Sequence, residues 1–331
     1  MTQSCRTTRR AALAAAALAV PAPLAAARAQ EAWPSRAVTI TVPWAPGGST
    51  DILARTLAEP LRLALGQPVV VENRSGASGN IGSAAVARAA PDGHALLFAT
   101  MSTHAMNAAL MRDMPFDGVE DFTAVALLAF VLNTMVIHPA VPVRDVAGFI
   151  AHARANPGKL AYASAGPGST NHLCAAMFCR MAGIEMVHVP YRGGAPAVLD
   201  TVAGQVQLFF SAGTQTLPHV REGKLRLLAV TEETRSALLP EVPTVAESLP
   251  GYAMAVWYGV LGPRGMPPGV VARLNAEINR ALLLPEVKGK MAAIGVEVAP
   301  EPAADFAARM RADAEKWGRV IRELGVTAGD A

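Results

Sequence analysis

"PWAPGGSTD" (Pro43 to Asp51) stands between an apolar run, "VTITV", and a helical pattern, "ILARTLAEPLRLALG". The reading is strand, glycine-rich turn, helix. "SAGPGSTNH" (Ser164 to His172) repeats it after "KLAYA" and before "LCAAMFCRMAG". A strand that feeds a helix through so short a turn is the repeating unit of an α/β fold. Neither turn carries the lysine of a phosphate loop, which reads G-x-x-x-x-G-K-[ST]. What remains is a helix start whose first N–H groups have no intrahelical partner and whose dipole favours an anion. Glycines let that anion approach the backbone, and Ser49, Thr50, Ser169 and Thr170 add hydroxyls that donate or cap. Such a site suits a carboxylate as well as a phosphate. One such turn is as readily a plain helix cap, whereas two matching turns point to binding.

The first 29 residues are not read as fold. "MTQSCRTTRR" is basic, "AALAAAALAVPAPLAAA" is apolar but broken at Pro21 and Pro23, and "ARA" precedes Gln30. This is the pattern of an export signal cleaved near Ala29–Gln30, which places the mature protein in the periplasm. Loss of Arg6, Arg9, Arg10 and Arg28 turns the net charge of +3 slightly negative. A nucleic-acid footprint is thereby excluded. Hydrophobic residues make up 52% of the chain, yet no later run is long enough to span a bilayer.

Apolar runs of strand length alternate with helical patterns: "AVTITVP", "PVVVE", "ALLFAT", "TAVALLA", "NTMVIHP", "KLAYAS", "MVHVP", "QVQLFFS", "KLRLLAVT" and "WYGVLGP". Several are near-continuous, as in strands covered on both faces, so mainly parallel sheets with helices on both faces are expected. Helices are expected at 52–65, ended by Gly66, and at 146–155, ended by "NPG". Pro60 either bends the first helix or divides it. The tail from about Pro268 to Leu324 is almost wholly helical in pattern. Cys174 and Cys179, five apart on one helix, face different sides and are expected to be core residues without a disulfide.

Catalytic and metal signals are sparse. There is no G-x-S-x-G elbow, and none of the seven histidines forms an i, i+4 pair. "NRSGASGNIG" (Asn73 to Gly82) follows a strand but is not the dinucleotide G-x-G-x-x-G. No cofactor and no metal are expected. "VPYRGGAPA" (Val189 to Ala197) sets Tyr191 and Arg192 beside two glycines, and the stretch around His104 follows the strand "ALLFAT".

Taken together, "PWAPGGSTDILA", "GQPVVVENRSGASGNIG", "AAPDGHALLFAT", "LAYASAGPGSTNHL", "HVPYRGGAPAVLD" and "VPTVAESLPGY" resemble the tripartite tricarboxylate transporter receptors, also called Bug proteins. The resemblance runs from about Trp33 to the last helix. It implies a two-lobed type II periplasmic binding protein fold, a Venus flytrap closing on a small carboxylate, and a receptor rather than an enzyme. Lobe 1 would comprise 30–132 and 255–331, and lobe 2 would comprise 133–254. The implied partners are the ligand and the permease subunits of a transporter or a sensor, the receptor itself being a monomer.

The resemblance also implies the site. The first turn supplies Trp44, Ala45, Pro46, Gly47, Gly48, Ser49, Thr50 and Asp51. Ser78 and Asn80 come from the third glycine-rich stretch, and Thr100, Ser102, Thr103 and His104 from a strand end. Lobe 2 adds Ser164, Ala165, Gly166, Ser169 and Thr170, then Tyr191, Arg192 and Gly193, and finally Ser211. Here the chain departs from the family: "FFSAG" stands where members often read Phe-Asp-Asn. Without that carboxylate, a ligand ammonium loses its partner. Phe209 and Phe210 point to opposite faces of a strand. Either one of them lines the cleft or both are buried beneath helices. The competing reading from another class is an exported α/β hydrolase.

Overall fold

A computed structural model describes residues 33–325 apart from 112 and 192. The stretch read above as an export signal, and Arg192 among the candidate site residues, lie outside the described residues.

The ten expected strands all form. β1 (Val38–Val42), β2 (Val69–Asn73), β3 (Ala95–Thr100), β4 (Phe122–Val131), β10 (Val256–Pro263) and β11 (Val296–Val298) make a six-stranded sheet ordered β11-β4-β10-β3-β1-β2. β5 (Asn133–Ile137), β6 (Ala161–Ser164), β7 (Val187–Pro190), β8 (Leu208–Ala212) and β9 (Arg226–Val230) make a five-stranded sheet ordered β7-β6-β8-β5-β9. β11 was not expected, because its three residues sit inside a stretch whose polar and apolar spacing is otherwise helical.

The sheets are mixed, which corrects the expectation of mainly parallel ones. β1 runs parallel to β2 and β3, and β6 parallel to β7 and β8. β10, however, is antiparallel to both β3 and β4, β11 to β4, and β5 to β8 and β9. The cause is the crossing between sheets. β4 runs into β5 with only Leu132 between them, and β10 returns to pair Val256 with Val131. Continuous apolarity reports coverage on both faces and is blind to strand direction.

Helices pack around these sheets. α1 (Ser49–Leu65) is one continuous helix despite Pro60, and Gly66 closes it in the left-handed conformation with φ 70°. α2 (Asn80–Ala87) and α3 (Asn107–Leu110) follow, the latter after a π-helical turn at Ser102–Met106. α4 (Val146–Ala155) is capped by Asp145, whose carboxylate accepts the Gly148 N–H. α5 (Thr170–Ala182), α6 (Gly194–Val202) and α7 (Gly213–Arg221) each follow a strand of the second sheet. The last part of the chain holds α8 (Pro268–Leu282), α9 (Pro285–Ala293) and α10 (Ala303–Leu324). One buried cluster runs from the first sheet to the second, joining Leu97, Trp257 and Leu127 to Met135, Phe178 and Phe210.

Both phenylalanines in question are fully buried. Phe210 belongs to that large cluster, and Phe209 packs on the opposite face with Val136, Ala163 and Val206. A cleft-lining ring at this position is therefore ruled out, because β8 is covered on both faces. Cys174 and Cys179 are free, Cys174 buried and Cys179 half-buried.

Candidate functional site

Because β1, β2 and β3 are parallel, their carboxyl ends share one edge of the first sheet. Ligands of open α/β sheets bind beyond such an edge. Three candidate stretches meet there. A Cβ on Gly79 would fall 2.6 Å from the Thr103 methyl and 3.4 Å from the Trp44 ring. One on Gly82 would fall 2.7 Å from the Arg74 carbonyl oxygen and 3.0 Å from Pro43. Bare glycine is what lets the first turn, the third glycine-rich stretch and the strand end pack together.

In the first turn Ala45, Pro46, Gly47 and Gly48 are exposed, Trp44 and Ser49 are half-buried, and Thr50 and Asp51 are buried. The first N–H of this helix bonded within it is that of Ile52, to the Gly48 carbonyl. The N–H groups before it belong to the unsatisfied set of a helix start. The Ser49 hydroxyl pairs with the Tyr258 hydroxyl of β10 at 2.8 Å. Trp44 Nε1 is buried and has no protein partner. The Asp51 carboxylate is engaged internally, accepting from the Gly47 N–H at 3.0 Å.

Ser78 is exposed and holds a left-handed φ of 53°, next to Ala77 at 46°. Two adjacent non-glycine residues in this region store strain, which concentrates at ligand clamps. Asn80 is buried: its Nδ2 donates to the sulfurs of Met111 and Met114, and its Oδ1 accepts from Asn107.

At the strand end, the Thr100 and Ser102 hydroxyls lie 2.9 Å apart. The Thr103 hydroxyl donates to the Thr100 carbonyl at 2.9 Å, so the His104 imidazole donates Nδ1–H to Thr103 Oγ1 at 2.7 Å. His104 is 2% exposed, with its ring against Phe116 and Phe122. Burial holds its pKa down at about 3, and the imidazole is neutral. Of this group only Ser102 reaches partial exposure; Thr100, Thr103 and His104 are buried.

The second sheet is built the same way, with β6, β7 and β8 parallel and their ends together. The buried Ser164 hydroxyl accepts the Gly166 N–H at 3.1 Å and pairs with His188 Nε2 at 2.7 Å. Ser169 caps α5 by accepting the His172 N–H, and its hydroxyl donates to the Gly166 carbonyl at 2.6 Å. The Gly168 N–H donates to His172 Nδ1, and the His172 and His188 rings stack 4.0 Å apart beneath the turn. Ala165, Gly166, Ser169 and Thr170 keep partial exposure. Tyr191 donates its hydroxyl to Asp200 at 2.8 Å, and Gly193, at φ 115°, precedes α6.

Ser211 is 1% exposed and donates to Gln215 Oε1 at 2.7 Å. A Cβ on Gly194 would collide with that Gln215 amide. Gln215, Asn171 (donating to the Phe210 carbonyl at 2.6 Å) and Tyr258 join the neighbourhood without having been singled out in sequence. Gln215 stands in the first turn of α7, four residues beyond Ser211 of β8, and no motif in the sequence marked it. Gly168 also packs on Leu110 of α3, with 3.1 Å between a built Cβ and the leucine methyl.

Two cavities, of about 310 Å³ between β4 and α10 and about 270 Å³ between α1 and β2, contain none of the candidate residues. Among the described residues no group of histidine, cysteine and carboxylate side chains is arranged to hold a metal. No helix among them is long and apolar enough to cross a membrane.

The profile of the tripartite tricarboxylate transporter family receptor matches residues 53–326. Rpa4515 of R. palustris, solved with adipate, is 37% identical, covers 89% of this chain and 99% of its own, and has a TM-score of 0.81. The periplasmic binding protein BugD is 32% identical over 89% of this chain and 99% of its own, with a TM-score of 0.78. MatC of Rhodopseudomonas palustris, solved with malate, is 32% identical over 87% of this chain and 99% of its own, with a TM-score of 0.77.

Proposed function

Because the chain belongs to the tripartite tricarboxylate transporter receptor family, we propose that it captures a small organic carboxylate in the periplasm. It would then present that ligand to the permease subunits of such a transporter or to a sensor. The observation that carries this reading is the pair of lysine-free turns, each placing a helix start at the carboxyl edge of parallel strands. Two relatives of matching fold were solved with adipate and malate, both small dicarboxylates. The family is one of receptors, and the hydrolase reading receives no support from it.

In this proposal the lobes are 30–132 with 255–331, and 133–254, and the receptor acts as a monomer. The ligand is gripped by Trp44 Nε1, the first amides of α1 and the Ser49, Ser78 and Ser102 hydroxyls on one side. Gly166, Ser169, Thr170, Tyr191, Arg192 and Gly193 act on the other. Asn80, Thr100, Thr103, His104, Ser164 and Ser211 shape the walls. The second sheet's third strand end carries Ser211 and Gln215, neither of them anionic, so a ligand ammonium finds no partner there. A receptor gains affinity on closing only if its ligand touches both lobes.

Calorimetric titration with adipate, malate, succinate, citrate, glutamate and aspartate tests the reading. A non-amino acid is expected to bind tightest and to compact the protein in solution scattering. Tightest binding to glutamate or aspartate removes the ligand preference; no binding by any of the six overturns the receptor.

A further inference from the structure

Beneath the first turn lies a closed polar network. Asp51 is 4% exposed; its Oδ1 accepts Arg55 Nε–H and Asn73 Nδ2–H, each at 3.0 Å, and its Oδ2 accepts the Gly47 N–H. Asn73 Nδ2 also donates to the Trp44 carbonyl at 3.1 Å, and Asn73 Oδ1 accepts Arg55 Nη2–H at 2.9 Å. Three side chains from α1 and the end of β2 thus hold both the entry of the turn and its middle. Trp44 is fixed through its carbonyl, and Gly47 through its N–H.

Two consequences follow for an incoming anion. The Gly47 N–H points at Asp51, so the donors left to a ligand begin at Gly48. Gly47 can sit this way because its φ is +86°, a conformation in which a side chain is strained. Asp51 also sets a negative charge one residue beyond Thr50, where a bound carboxylate would be repelled. Arg55 stands against that charge with its guanidinium at 3.0 Å. Burial pushes the Asp51 carboxyl up, but the bonds from Arg55, Gly47 and Asn73 outweigh it and hold the pKa below the usual range.

We infer that Asp51, Asn73 and Arg55 are positioning residues that hold the first turn in its anion-binding shape, with Arg55 cancelling the charge of Asp51, and that none of the three touches the ligand. This rests on the receptor reading above. It also changes the part played by Asp51, which the family resemblance counts among the ligand contacts. Both carboxylate oxygens already have partners, and the side chain is 6% exposed. Sequence reading named Asn73 only as the start of the third glycine-rich stretch, and passed over Arg55 on its helix flank.

The test combines adipate titration with amide hydrogen exchange on the whole protein. Asp51→Ala and Asn73→Ala are expected to speed exchange of the Gly47 amide and to weaken adipate at least tenfold. Arg55→Gln is expected to weaken adipate similarly, because the buried Asp51 charge then stands uncancelled beside the anion. Adding Asp51→Asn to Arg55→Gln is expected to recover affinity, which removal of a merely structural residue would not do. Wild-type adipate affinity in Asp51→Ala or Asn73→Ala, with Gly47 exchange accelerated, overturns the inference alone. So does a double variant weaker than Arg55→Gln. If the wild type binds none of the six acids titrated above, the receptor reading falls and takes this inference with it; if it binds one of the others in place of adipate, the same variants are titrated with that acid.

Discussion

The hydroxyl of Ser49, the first residue of α1, lies 2.8 Å from the hydroxyl of Tyr258, in the middle of β10. The first turn is thereby tied to the strand that brings the chain back from the second sheet. Tyr258 is 8% exposed, and burial pushes its pKa up, so the phenol is neutral and able to donate. Removing its oxygen should cost about 1 kcal/mol, the net worth of one such bond. Tyr258→Phe is expected to lower the unfolding free energy by that amount, read as a lower denaturant midpoint at an unchanged slope.

Gly79 has a φ of +91°, and a methyl group there would stand 2.6 Å from the Thr103 side chain. Gly79→Ala combines backbone strain with a collision at the meeting point of three candidate stretches. A loss of about 1–3 kcal/mol is expected. Chemical denaturation measures it, and Gly48→Ala is the control. Gly48 has φ −77°, and its built Cβ has nothing nearer than 3.9 Å.

Glu232 sits at the crossing between sheets, its Oε1 accepting the Asn133 N–H at 3.0 Å. Burial pushes its pKa up to about 7, and the charge of Glu297 on β11 adds to the shift. The folded protein then holds this proton over a range where the unfolded chain has released it. Stability from this group is full below pH 4.5 and falls as pH rises towards 7. Glu232→Gln keeps an acceptor for Asn133 and cannot ionise. Its denaturation midpoint is therefore expected to decline less than the wild type's between pH 5 and pH 8.

Phe210 is fully buried, 5.6 Å from the Phe178 ring and 6.2 Å from that of Tyr252. Phe210→Ala is expected to destabilise by about 3–5 kcal/mol. Any loss of ligand affinity in the folded fraction should be small, because the ring faces the core. Thermal melting with and without adipate separates the two effects.

Much of this was legible. The strands announced themselves because residues covered on both faces must be apolar, and α1 ended at Gly66 where its left-handed φ demands a glycine. Strand direction was not legible, because the side chains of β10 read the same whether its neighbours run with it or against it. β11 was hidden by its three residues. Within the site the turns were visible through glycine, serine and threonine. What Asp51 bonds to was not, since Asn73 lies 22 positions away and only folding brings it to that carboxylate. The partner of Ser211 was hidden in the same way, since only folding brings Gln215 of α7 to its hydroxyl.

The placing of β10 also governs the order in which the chain can be completed. β3 is finished at Thr100, but its neighbour on one side, β10, begins only at Val256. All of the second sheet is made in between. A chain threaded out residue by residue therefore holds an uncovered, strongly apolar edge strand for nearly half of its emergence. Such edges template pairing with other chains. Slow delivery, or arrest before Val256, would leave the first sheet open to self-association, so chaperone demand during synthesis should concentrate on fragments that end between Thr100 and Pro263.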